Sequence, residues 1–161
     1  MANEILLEAA RYNRWANLHL LDVCAGLNAQ QLQLSSPGTY GSIEVTWLHL
    51  LGAEQRYLRR LVGFEPGISE KDAFPGIPAL KDHARKSGDA LIDAAGGIDP
   101  EGTSQGRDDL APKHWLVMTQ AIHHGNDHRT HICTILGQND IAYGDMDVWA
   151  YGMDHDGYVK C

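Results

Sequence analysis

Four runs of apolar residues recur at the spacing of an α-helix, with Gly- and Pro-rich breaks between them, and this pattern constrains the fold more than anything else in the chain. The first run is Ile5, Ala9, Tyr12, Ala16, Leu20 and Val23, followed by Gly26 where a helix would stop. The second is Ile43, Trp47, Leu50, Leu51, Tyr57, Leu58 and Leu61, ending at Gly63. The third starts at Pro78, a residue favoured in a first helical turn, continues through Leu80, Ala84, Gly88, Leu91 and Ala95, and closes at Gly96 and Gly97. The fourth starts at Pro112 and carries Trp115, Met118, Ile122, Ile132, Ile135 and Leu136 to Gly137. The spacing predicts helices over about 3–25, 42–62, 78–95 and 112–136. No alternating strand pattern, internal repeat or low-complexity tract competes with them. The expected fold is all-α, a four-helix bundle. Pro66, Gly67, Pro75 and Gly76 mark the connection between the second and third helices as a long crossover, not a tight hairpin.

The 161 residues, 43% of them hydrophobic, suit one domain spanning 1–161 around one core. The tail, 138–161, breaks the helical pattern with Gly144, Gly152, Gly157 and several aspartates, yet holds Tyr143, Trp149, Tyr151 and Tyr158; it is expected to pack back on the bundle. A formal charge of -8 would repel a phosphate backbone, so nucleic acid is not an expected partner. No apolar stretch reaches the roughly 20 residues of a membrane span, and Met1 to Glu4 lack the basic head of a signal peptide. The expectation is a cytoplasmic protein with no membrane partner. Cys24, Cys133 and Cys161 are far apart and odd in number, which reads as reduced thiols.

Chemistry concentrates in the fourth run, at His123, His124, His128 and His131. Residues four apart on a helix project side by side about 6 Å apart along the axis, so His124 and His128 can share one ion. Val117, Ala121 and Ile135 share their stripe, which turns the pair inward and leaves His123 and Asp127 on a polar flank. Adding His131 would stretch the donors over about 10 Å of axis, too far to close on one ion, so a third ligand should come from another helix. Nine histidines in a chain this long yield one such pair by chance about half the time, so the spacing alone is weak. His49 strengthens it: the residue sits mid-way along the apolar second run, flanked by Ser42, Val45, Gly52 and Ala53. On its own it reads equally as a core histidine held by one hydrogen bond or as the third ligand.

At this point the sequence resembles the DinB/YfiT-like metal-binding four-helix bundles, a family distinct from the DNA polymerase that shares the DinB name. YNRWAN at Tyr12 to Asn17 is similar to the family's first-helix signature, and TWLHLLGAEQRYL at Thr46 to Leu58 carries a single histidine in the family's place. HGNDHR, His124 to Arg129, followed by Ile132, resembles the last-helix pattern of two histidines and an arginine; DVWAYG, Asp147 to Gly152, resembles tails of the group. The resemblance covers nearly the whole chain and implies His49, His124 and His128 as ligands of one divalent metal. Thr130 and His123 depart from it, standing where a glycine and an asparagine are common.

Three neutral imidazoles leave a divalent ion its full charge and an open position, the pattern of catalytic zinc sites. Such an ion activates water for hydrolysis or a thiol for transfer. Imidazole suits zinc, nickel, iron and copper alike and does not choose among them, and the expected ion is zinc, nickel, iron or manganese. Characterised relatives use low-molecular-weight thiols in transfer and isomerisation, so the resemblance implies a thiol-dependent S-transferase or isomerase acting on a small-molecule substrate. The alternatives are a metal-dependent hydrolase and a non-enzymatic, stress-associated metal-binding bundle. Glu54 is a weak candidate for a general base; Asp127 and Arg129 are read as surface charges more than as orienting groups, and Trp15, Trp47, Trp115 and Tyr12 as core. Acidic bundles with leftover apolar faces pair, and the resemblance also implies a homodimer.

Overall fold

In the computed structural model, which describes residues 2–104, 106 and 110–159 and leaves out the side chains of residues 2 and 3, four long helices and two short ones follow one another. They are α1 (Ala2–Cys24), α2 (Ala29–Leu32), α3 (Ile43–Val62), α4 (Ile77–Gly97), α5 (His114–Gln138) and α6 (Val148–Asp154). The fold is all-α. Among the described residues the only β pairing is an isolated bridge between Thr103 and Lys113. No described helix is long and apolar enough to cross a membrane.

Local chemistry sets the helix ends. Ser42 caps α3, its side chain accepting from the Val45 N–H, and Gly63 ends it in the left-handed region (φ +71°), returning its N–H to the Arg59 carbonyl. Pro78 stands in the first turn of α4 as expected. Two expected ends differ. Pro112 lies outside α5, where its carbonyl accepts from Ser104 N–H beside the Thr103–Lys113 bridge, and Lys113 takes the cap position. Gly96 and Gly97 remain helical because Ile98 N–H still reaches the Ala94 carbonyl.

α1 packs chiefly on α4, and α3 on α5 and α4, so α3 and α5 share a seam. The connection at 63–76 lays Ile68 into the core. Two apolar clusters fill the bundle. One gathers Leu20, Leu21, Trp47, Leu50, Leu51, Ile132 and Ile135; the other gathers Ala10, Leu58, Leu91, Met118 and Ala121. In each long helix the residues between the two clusters are polar: Asn13 and Asn17 on α1, Glu54 on α3, Ser87 on α4 and Arg129 on α5, all buried.

The first helix is rotated from its expected orientation. Ile5 is 77% exposed, while Asn13 and Asn17 are fully buried beside Ala16 and Leu20. Trp115 is also exposed at the start of α5, although Trp47 is fully buried. The tail meets the bundle through α6. Asp147 caps it by accepting from Ala150 N–H, and Tyr151 lies edge-on to Tyr12 and Trp15. Tyr12 completes the contact, donating its hydroxyl to the Met146 carbonyl at 3.0 Å. Cys24 and Cys133 are free thiols; Cys161 lies outside the described residues.

Candidate metal centre

On the α3–α5 seam three imidazoles converge. His124 and His128, one turn apart on α5, have ring centroids 4.3 Å apart, and His49 of α3 lies 5.0 Å from the first and 4.7 Å from the second. One ring nitrogen from each falls within 4.8 Å of the others. The Nε2 atoms of His49 and His124 are 3.0 Å apart, close to the roughly 3.3 Å that separates nitrogens bound tetrahedrally to zinc at about 2.0–2.1 Å. This donor set could hold a metal ion.

The second nitrogens strengthen the fit. His49 Nδ1 lies 2.6 Å from Glu70 Oε2, and a donated N–H there fixes the tautomer that turns Nε2 toward the cluster. That bond also holds the Glu70 carboxyl below its ordinary pKa. His128 Nδ1 lies 3.2 Å from His131 Nδ1, so His131 stands behind a cluster member and not within the three. Carboxylate–histidine pairing of this kind is the usual support of a metal-bound imidazole.

Gly52 explains how Glu70 arrives. A Cβ on Gly52 would stand 3.3 Å from Ser69 Cα and 3.4 Å from Glu70 N, so the bare glycine lets the crossover lie against α3 one turn beyond His49. Tyr40, from the loop before α3, stacks on His49 with centroids 3.9 Å apart and meets His128 edge-on; its hydroxyl points to Glu70 at 3.4 Å. Tyr57 stands edge-on to His124 at 5.8 Å.

Electrostatics keeps the two α5 imidazoles neutral. His124 and His128 are both pulled down to about 4, first by burial and then by neighbouring imidazoles. At neutral pH their lone pairs are available to a cation.

His123 is exposed and pairs with Asp127 at 3.1 Å, on the flank where the helical spacing put it. Arg129 is not a surface charge. It is 3% exposed, and its Nη1 donates to Asn13 Oδ1 at 2.8 Å and Asn17 Oδ1 at 2.6 Å, with Nη2 on Asn126 Oδ1. Both amides pass their Nδ2 donors to Glu54 Oε2, and Ser87 Oγ donates to Oε1. Glu54 is therefore sealed among partners and unsuited to act as a base on substrate. Burial raises its pKa and lowers that of Arg129. The Cys133 thiol, pushed up to about 12 by burial, is no nucleophile.

Glu70, Tyr40 and Tyr57 escaped the sequence reading. No spacing rule links Glu70 to His49 across the crossover; the one signal was a glycine beside a candidate ligand.

The family model described as DinB family matches residues 1–153. The crystal structure of a DinB-like protein from Bacillus cereus ATCC 10987 is similar over 90% of this chain and 99% of that one, at 18% identity and a TM-score of 0.70. No curated protein matches the chain.

Proposed function

Because the chain belongs to the DinB family, we propose that His49, His124 and His128 hold one divalent transition-metal ion, zinc, nickel, iron or manganese, and that the site serves thiol-dependent S-transfer or isomerisation on a small molecule. The observation that carries this reading is the convergence of three imidazole nitrogens within 4.8 Å, with His49 held from behind by Glu70. When bound, such an ion supplies a Lewis acid that lowers the pKa of a thiol or water at its open position. The chain supplies the rest. Tyr40 and Tyr57 wall the approach, and the Tyr40 ring fixes the plane of His49.

The placement of carboxylates supports transfer over hydrolysis. Glu70 is engaged with His49, and Glu54 is sealed in the core, so neither is free to take a proton from attacking water. A thiol released of its proton on coordination needs no such base. The free thiols Cys24 and Cys133 suit a reducing, cytoplasmic setting. The expected homodimer is supported by apolar side chains left exposed on the first turns of α1 and α5, Ile5, Trp115 and Leu116; light scattering on the eluted protein tests it.

Elemental analysis of untagged protein purified without chelator or nickel resin tests the centre itself. Near one equivalent of a transition metal is expected in the wild type and none in His49→Ala or His124→Ala, followed by turnover when thiols are screened against electrophiles. A wild type that takes up no metal even on reconstitution overturns the reading; metal with no thiol binding favours the non-enzymatic bundle.

A further inference from the structure

We infer that the substrate or thiol used at this centre carries an oxyanion, a carboxylate or a phosphate, which Arg56, Arg59 and Arg60 receive in a cavity beside the histidines; this rests on the metal-centred reading above. The three arginines stand out in a chain of formal charge -8 with only 13 lysines and arginines. Their spacing along α3 sets them on one face, where like charges three and four residues apart repel. Five other cations are matched, while Lys71 and Lys86 stand singly without an ion pair among the described residues. Arg11 pairs with Glu8, Arg14 with Asp89, Lys81 with Asp22, Arg85 with Asp82 and Lys113 with Glu101. Arg56, Arg59 and Arg60 have no ion pair of this kind among the described residues, and all three are exposed.

A cavity of about 440 Å³ is lined by Arg56, Tyr57, Arg59, Arg60 and Gly106. Tyr57 is the wall it shares with the metal centre, since the same ring stands edge-on to His124. Arg56 lies close enough for its charge to act on His124, Tyr40 and Glu70, three of the groups that surround the cluster. A small molecule bound at the open position therefore extends toward guanidinium groups that form strong, charge-assisted hydrogen bonds with carboxylate and phosphate. An acidic chain that clusters three arginines beside its reactive centre, with no ion pair to any of them among the described residues, is built to select an anion.

Cobalt-loaded protein tests this, because thiolate binding to cobalt gives a charge-transfer band that can be titrated. The probes are mercaptosuccinate, 2-mercaptoethanol, and succinate or inorganic phosphate as competitors. Mercaptosuccinate is expected to bind about tenfold tighter than 2-mercaptoethanol, with the advantage shrinking as salt rises. The triple variant Arg56→Ala, Arg59→Ala, Arg60→Ala should lose that advantage and keep its affinity for 2-mercaptoethanol; the corresponding lysine variant should keep part of it. Competition by succinate or by phosphate tells which oxyanion is preferred. Equal affinity for both thiols in the wild type, or a preference that survives in the alanine variant, overturns the inference and leaves the metal centre standing. Failure to take up cobalt overturns both readings together.

Discussion

Two polar clusters start from consecutive residues of α5, His128 and Arg129, and are built to opposite rules. Around Glu54 the hydrogen bonds close on themselves: Asn13 and Asn17 each donate to the carboxylate and accept from Arg129, while Ser87 covers the other oxygen. Around His49 the polar atoms are gathered without being used up, with three imidazole nitrogens turned toward one point and anchored only from behind, at Glu70 and His131. The first cluster ties α1, α3, α4 and α5 together; the second spans only α3 and α5. A closed network specifies how helices pack, whereas converging and incompletely satisfied donors specify a ligand.

The sharpest way to break the comparison is to remove one member of each. Arg129→Ala leaves Glu54 buried without its cation and should cost about 3–5 kcal/mol of stability, read by urea denaturation of metal-free protein. Gly125 sits against Asn13, so the packing there has little room to rearrange around the loss. His124→Ala, at the open cluster, should cost no more than about 1 kcal/mol in the same metal-free assay. Equal losses at the two positions would mean that the histidines are structural.

The same contrast decides what could be foreseen from sequence. The helices were legible because apolar periodicity and the Gly63 and Pro78 signals are local, and the pairing of His124 with His128 was legible because it is fixed by one helix turn. The buried network was not legible. Periodicity treats Asn13 and Asn17 as surface residues, so it rotated α1 and turned Ile5 inward; the true face appears only when Glu54 and Arg129 are brought to it from two other helices. Glu70 was hidden for a related reason, since the crossover that delivers it has no period to read. Resemblance to a family supplied His49 as a ligand, and no physical argument from spacing alone could have preferred it to a core histidine.

Acid should separate the clusters next. In the folded protein His124 and His128 titrate at about 4, below the ordinary value of 6.5, so the unfolded chain takes up protons first as pH falls. Their contribution to the stability of metal-free protein is therefore full above pH 6.5 and is lost as pH falls toward and through 4. Thermal melts at intervals of pH should show this decline in the wild type and a shallower one in a His124→Ala, His128→Ala double variant. Unchanged slope in the double variant would move the acid sensitivity elsewhere, with Glu70, whose depressed pKa adds its own loss at the acid end, the first place to look.

A smaller effect belongs to Glu70 itself. Glu70→Gln removes the charge that orients His49 while sparing the fold, because the side chain is exposed, and metal affinity measured against a competing chelator should weaken by about 10- to 100-fold. An unchanged affinity would place His49 outside the ligand set or show that its orientation comes from elsewhere.

Tyr40 supplies that elsewhere, and separates ring from hydroxyl. Its stack on His49 is close, with centroids 3.9 Å apart and planes 26° from parallel, whereas its hydroxyl reaches Glu70 only at 3.4 Å. A hydrogen bond of that length contributes little even to a carboxylate, while an aromatic pair contributes about 0.5–1.5 kcal/mol beyond its buried area. Tyr40→Phe should then leave metal affinity within about twofold of wild type, and Tyr40→Ala should weaken it by about 2- to 12-fold, the affinity equivalent of losing the stack. If Tyr40→Phe proves as damaging as Tyr40→Ala, the hydroxyl is what positions Glu70, and the anchor behind His49 is a three-member chain of Tyr40, Glu70 and His49. That result would bring the open cluster closer to the closed one, since its rear would then be as fully bonded as the network around Glu54.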